Sequence, residues 1–228
     1  MKTLFRRLIF SAVLVCATVA SASAQFVALN DHLGQPVLSK SYTDINGSPY
    51  LFEDWKRGSV TVAKGTTYEG VNLMYDQVAD ELIFKNAKGE SMVFAEPVRE
   101  FSFKVENNDA VIKEQVFRNG FALVDGAKPY TFYEVLVDDK IKLLKRTSKD
   151  VVEEASYSSA TKVKSFQTST SYYIAQNDKL VKVKNDKKSV LSALSNKKAE
   201  LEAYIKANRL DLKKETDLAK LLTFYNTL

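Results

Sequence analysis

One cysteine, one histidine, one tryptophan, four prolines and eight glycines in 228 residues close off much familiar chemistry. The cysteine, Cys16, stands inside an N-terminal segment with the layout of a secretory leader. Lys2, Arg6 and Arg7 precede an apolar run from Leu8 to Ala20, and Ala22-Ser23-Ala24 supplies the small residues of a cleavage site. Residues 1–24 are therefore read as a signal peptide, with Gln25 as the mature N-terminus. Cleavage there removes Cys16, which leaves the exported chain without a disulfide, a thiol nucleophile or a thiolate metal site. A lipoprotein starting at Cys16 is the minor alternative; Val13-Leu14-Val15 stands where such signals want a small residue. No later apolar run is long enough to span a bilayer, so no transmembrane span is expected after cleavage.

A lone imidazole excludes a multi-histidine metal centre, and His32 has no Gly-x-Ser-x-Gly elbow to serve. Phosphate-cradling glycine loops are absent too. No catalytic residue, metal ligand or cofactor is assigned from these residues.

The whole chain carries a formal charge of +5, but part of that belongs to the leader. From Gln25 to Glu154 there are 16 basic and 21 acidic residues, against 14 and 7 from Ala155 to Leu228. The acidic front and basic tail allow an acidic partner. The tail lysines alternate with apolar residues in Leu180-Val181-Lys182-Val183-Lys184, which reads as a solvated face, and in an exported chain nucleic acid is not an expected partner.

Turn formers dominate Asp44-Ile45-Asn46-Gly47-Ser48-Pro49, so residues 25–57 read as an irregular arm with one short strand at most. A period of two then begins. Val60 and Val62, Val71 to Tyr75, Leu82 and Phe84, and Met92 and Phe94 are separated by Lys64-Gly65, Ala79-Asp80 and Asn86 to Gly89. Phe101, Phe103 and Val105 alternate with Ser102, Lys104 and Glu106, the pattern of a strand with one buried face. Val111 to Phe117 is its expected partner across Asn107-Asn108-Asp109. Tyr130 to Val137 is apolar on both faces, Ile141 to Leu144 follows a turn, and a polar stretch from Ser156 to Ser171 precedes a last hairpin of Tyr172–Ala175 and Leu180–Val183. The antiparallel β body is placed at 58–184. Over 185–228 the period becomes helical: Val190, Leu191 and Leu194, then Leu201, Tyr204 and Ile205 after Ser195 as a cap, then Leu218, Leu221, Leu222 and Tyr225. Glu215 and Asp217 suit the start of the last helix.

Among carboxylates, Glu69, Asp76, Glu81 and Glu134 are candidates for paired acid and base work on a glycosidic bond. Glu134 stands out because it interrupts the apolar run from Tyr130 to Val137. Asp44, Asn46 and Ser48 are spaced like the first ligands of a calcium loop, but position twelve of that loop is Trp55, and a simple turn is the better reading. Tyr130, Tyr133, Tyr172 and Tyr173 are candidates for a ligand groove, and the stripe of Leu218, Leu222 and Tyr225 for a partner surface. Core packing is the favoured reading of both sets.

Asn46 to Leu51, Trp55, Gly58-Ser59-Val60, Tyr75-Asp76 and Asp80-Glu81-Leu82, together with Lys197 to Leu201, Tyr204-Ile205-Lys206 and Leu218 to Asn226, resemble segments of uncharacterised exported proteins of Bacteroidota-type bacteria. The resemblance spans about half the chain, implies a Gram-negative envelope protein and transfers no site residue.

The expected fold is mainly β, of the α+β kind: an antiparallel meander forming an open or half barrel, with short amphipathic C-terminal helices packed on the sheet. The expected function is a non-enzymatic protein of the periplasm or cell exterior that binds an envelope partner or a lipid-like apolar ligand. The alternative is a carboxylate-dependent hydrolase acting on envelope or extracellular glycan.

Overall fold

The computed structural model describes residues 34–37, 42–107, 110–155 and 162–228. The leader, Cys16, Gln25 and His32 lie outside them. The described strands are β1 (Gly34–Pro36), β2 (Ile45–Asn46), β3 (Lys56–Val62), β4 (Thr67–Asp76), β5 (Glu81–Lys85), β6 (Ser91–Phe94), β7 (Val98–Asn107), β8 (Ala110–Arg118), β9 (Tyr133–Val137), β10 (Lys142–Ala155), β11 (Lys162–Gln176) and β12 (Lys179–Val183). Helices α1 (Lys187–Ala193), α2 (Lys198–Asn208) and α3 (Glu215–Tyr225) complete the chain. The protein is mainly β, with one open sheet in the order β1-β6-β5-β4-β3-β7-β8-β9-β10-β11-β12. Neighbours along that path are antiparallel, and β2 adds parallel to β11 at Lys164 and Ser165.

Strands β3 to β6 form the expected meander, but β7 returns to pair with β3 instead of β6, with Val98 opposite Val62 and Phe103 opposite Gly58. Only Ala95, Glu96 and Pro97 connect β6 to β7. In a flat sheet four strand spacings would separate the two strands by about 19 Å, whereas this link reaches no more than about 14 Å. The front of the sheet must therefore curl. Register shifts place an extra residue in each partner of β3, Gly70 of β4 opposite Gly58/Ser59 and Arg99 of β7 opposite Thr61/Val62, and such bulges bend strands. Gly58 is dictated by contact, because a Cβ there would stand 1.8 Å from the Ser102 carbonyl oxygen. Inside the curl Phe101 stacks on Phe117 at 4.8 Å and meets Tyr75, Phe103 and Phe132 at tilted or edge-on angles. This front core also holds Val60, Leu73 and Phe84, all fully buried.

The back of the sheet is covered on both faces. Alternation sends Leu143 and Ile174 toward the helices and Leu144 and Tyr173 toward the loop between β8 and β9. Under the helices lie Leu194, Leu201, Leu218, Leu221 and Leu222, each at most 1% exposed. Asp186 caps α1 by accepting the Ser189 N–H at 2.8 Å. Ser195, expected as a cap, begins a 3-10 turn instead, and no side chain caps α2. Arg209 ends α2 in a left-handed conformation (φ 51°), turning the chain so that Leu212 enters the core. Asn226 then fixes the end of α3 to the start of β10, accepting from the Ile141 N–H and donating to its carbonyl, both at 2.9 Å.

Two sequence expectations need correction. The first strand of the last hairpin does not begin at Tyr172: β11 starts at Lys162, inside the polar stretch, and with β10 forms a ribbon from Lys142 paired with Ala175 out to Ala155 paired with Lys162. The arm before Trp55 contributes two short strands instead of one, and β1 borders the sheet beside β6.

Candidate functional site

Curling without closure leaves a cleft of about 550 Å3 over the link from β6 to β7. Its floor belongs to the front core: Leu82, Val98 and Phe132 are 4%, 9% and 6% exposed. Val93 and Phe94 form one wall, Pro129 and Tyr130 the other, and Tyr130 is half exposed. Arg99 and Asn119 stand at the rim. Among the described residues no ion pair engages Arg99, while the neighbouring acid Glu96 is held by Lys64. The Asn119 amide donates to the Val98 carbonyl at 2.7 Å, and its own oxygen is buried without a partner. The cleft thus offers an apolar floor, with one cation, Arg99, and three carboxylates, Asp80, Glu81 and Glu96, along its lining. It contains no nucleophile paired with a base.

Glu134 is 5% exposed and points to the helix side of the sheet, where register places it beside Lys145. Its carboxylate meets Lys145 Nζ at 3.0 Å, Gln115 Nε2 at 3.2 Å and Lys113 Nζ at 3.4 Å. Lys145 also meets Glu215 at 2.9 Å, and the Tyr172 hydroxyl donates to Glu215 at 3.1 Å. Burial lowers the Lys145 pKa, but the hydrogen bonds to Glu215 and Glu134 outweigh it and hold the ammonium above its usual range. Glu215 opens α3, so this network ties the first turn of the helix to β8, β9 and β10. Lys145 fills the space between the two carboxylates where a glycosidic oxygen would have to sit.

Of the remaining candidate carboxylates, Asp76 and Glu81 are neighbours in register across β4 and β5, while Glu69 lies apart from them. Asp76, 2% exposed, accepts from the Tyr42 hydroxyl at 2.7 Å and from the backbone of Val78 and Ala79, which builds the turn from β4 to β5. Glu81 lies opposite it in register, and Glu69 lies opposite Ser59. Ser48 accepts from the Tyr50 N–H at 3.2 Å, and Asp44 and Gly47 have φ of 61° and 93°, as a turn requires.

The four candidate tyrosines do not converge. Tyr130 lines the cleft, whereas Tyr133 and Tyr173 meet edge to face at 5.4 Å beneath the loop before β9. Tyr172 faces α3 from the opposite side of the sheet. Leu218 and Leu222 are fully buried and Tyr225 is 8% exposed, with its hydroxyl donating to Asn196 at 3.0 Å. Sequence reading did not single out Arg99, Asn119 or the Val93–Phe94 wall. No local signal could have, because the cleft exists only through the pairing of β3 with β7.

Searches of family models, curated proteins and solved structures find no match to this chain. Among the described residues no helix is long and apolar enough to cross a membrane.

Proposed function

We propose that the protein is an exported, non-enzymatic envelope protein that holds an apolar ligand in the cleft between β6 and β7. Export rests on the order of charged, apolar and small residues in the leader, and an envelope setting is what the resemblance to Bacteroidota-type exported proteins implies. The observation that carries the binding reading is the cleft itself: about 550 Å3, within the range of about 300–1,000 Å3 typical of small-molecule sites, over a floor of Leu82, Val98 and Phe132. Burying ligand surface on that floor supplies the driving force. The alternative of a glycan hydrolase draws no support from Glu134 and Glu215, which are held by one lysine.

The test is titration of the chain from Gln25 with cis-parinaric acid, read by fluorescence. One saturable site is expected. Val93→Trp, which fills the cleft from its wall, is expected to weaken binding about tenfold or more with the circular dichroism spectrum unchanged. Absence of saturable binding, or undiminished binding by a folded Val93→Trp protein, would overturn the reading.

A further inference from the structure

The sheet ends at β12, and among the described residues no strand pairs with its outer side. Which backbone groups face outward there follows from the hairpin that makes the strand. Asn177 and Asp178 form a two-residue turn, with φ of 48° and 59°, and Gln176 lies opposite Lys179. The pair flanking such a turn exchanges backbone hydrogen bonds, and bonded and non-bonded pairs alternate from there. Lys179, Val181 and Val183 therefore spend their amides on β11, while Leu180, Lys182 and Lys184 turn theirs outward. Those of Lys184 are taken: its N–H donates to Ser189 Oγ at 3.0 Å, and its carbonyl accepts from the Asp186 N–H at 2.7 Å. Among the described residues nothing engages the outward groups of Leu180 and Lys182. The open edge is a short ladder, closed at one end by the turn and at the other by the start of α1.

A groove of about 690 Å3 lies between this edge and α1. Val181, 47% exposed, belongs to its sheet side, and Ser189, Ser192 and Ala193 form the helix side. Those small side chains leave space for the side chain of a strand laid beside β12. The charge of the groove has one dominant sign. Its lining carries Lys182, Lys184 and Lys188 against Asp186, whose carboxylate is spent on the Ser189 N–H at 2.8 Å. Lys182 meets Asp125 at 3.2 Å, but among the described residues no carboxylate pairs with Lys179, Lys184 or Lys188. Two β12 strands laid side by side would set lysine against lysine, so these charges keep the edge from a second copy of this chain. The same charges favour a strand of opposite sign.

We infer that this groove takes an extended acidic peptide of a partner protein, added to the sheet as one more strand beside β12. The peptide backbone would pair with the outward groups of Leu180 and Lys182. One apolar side chain would rest on Val181 beside α1, and the acidic residues flanking it would meet the lysines along the edge. Backbone pairing supplies the affinity, and charge makes the selection. The site is separate from the apolar cleft and stands without it.

Fluorescence anisotropy of the chain from Gln25 with fluorescein-labelled Glu-Val-Glu-Val-Glu tests this. Lys-Val-Lys-Val-Lys reverses the charge, and Glu-Pro-Glu-Pro-Glu keeps the charge but removes alternate N–H donors. One saturable site is expected for the first peptide, with each of the other two weaker by about tenfold or more. Lys184→Glu combined with Lys188→Glu should weaken binding about tenfold with the thermal midpoint near that of the parent. Lys182→Pro removes an outward N–H while sparing the ladder to β11, and should weaken binding more than Lys182→Ala, which keeps that N–H. If Lys182→Pro fails to fold, the proline peptide still reads the same hydrogen bonds. Absence of saturable binding at millimolar peptide would overturn the inference, as would undiminished binding by the folded double variant. Equal binding of the proline peptide would reduce the surface to an anion patch. A dimer in sedimentation that Lys182→Pro dissociates would give the edge to a second copy, and either result also overturns it.

Discussion

Front and back of this protein share one sheet and bury their apolar faces by different means. The front rolls β3 to β8 around a cluster of rings: Tyr75, Phe84, Phe101, Phe103, Phe117 and Phe132. The back lays helices over its strands, with leucines at nearly every contact. Wide aromatic side chains reach across the space inside a curl, whereas leucines suit the ridged surface of a helix against a sheet. The means of covering decides where an opening remains. A helix can be laid over a face, and α3 is so placed on β9 and β10, with Asn226 and Glu215 holding its two ends. A rolled sheet can close only if its last strands pair; β6 and β7 do not, and the cleft is the result.

The contrast is broken most directly from the back. Leu222→Asp places a carboxylate under α3 and is expected to cost more than about 4 kcal/mol, a large part of a typical stability. Because β8, β9 and β10 run continuously between the halves, the helical far-ultraviolet signal and the aromatic near-ultraviolet signal should disappear together in a urea titration. Persistence of the aromatic signal would make the front an independent folding unit. Phe101→Ala attacks the front, where one ring touches four others, and should cost about 3–5 kcal/mol, read from the shift of the urea midpoint.

The smallest expected effect is one of pH. Burial, reinforced by Tyr173 and opposed by Arg146, pushes the Tyr133 phenol of the back up to about 12. Burial and Asp80 push Tyr75 of the front well above the ordinary range. Both folded values are raised, so their contribution to stability is intact below about pH 10 and declines as pH rises toward the folded values. The raised pKa of Lys145 acts in the same direction. Thermal midpoints should therefore fall above about pH 10, with both tyrosines ionising later than exposed ones in an absorbance titration. Ionisation of every tyrosine near pH 10 would overturn this.

What the sequence made legible follows from where water lies. Strand β3 buries one face, with Gly58, Val60 and Val62 inside and the residues between them partly exposed, so its alternation was visible, and the stripe on α3 had only one place to go. The outer β10–β11 ribbon exposes both faces and has no alternation to read; pairs such as Thr147 with Thr170 and Ser148 with Ser169 sit in its ladder instead. Tyr172 and Tyr173 could never have lined one groove as neighbours in a strand, since a period of two sends them to opposite faces. The cleft and the Lys145 network both depend on contacts between distant segments. Of these, only Glu134, a charge inside an apolar run, left a local trace.

The pairing of β3 between β4 and β7 also sets an order of events during synthesis. Its partner β4 follows after a four-residue turn, so that hairpin can form as soon as it is made. Its other edge stays open until the chain has been extended through β5 and β6 to Phe103. During that interval Val60 lacks its eventual cover from Phe101, and a row of unpaired amides faces outward, free to join any extended strand nearby. Closing a contact so distant along the chain is slow compared with hairpin formation. The growing polypeptide is therefore most prone to misassembly in the stretch between Asp76 and Phe103, and a holding chaperone would have the most to protect there.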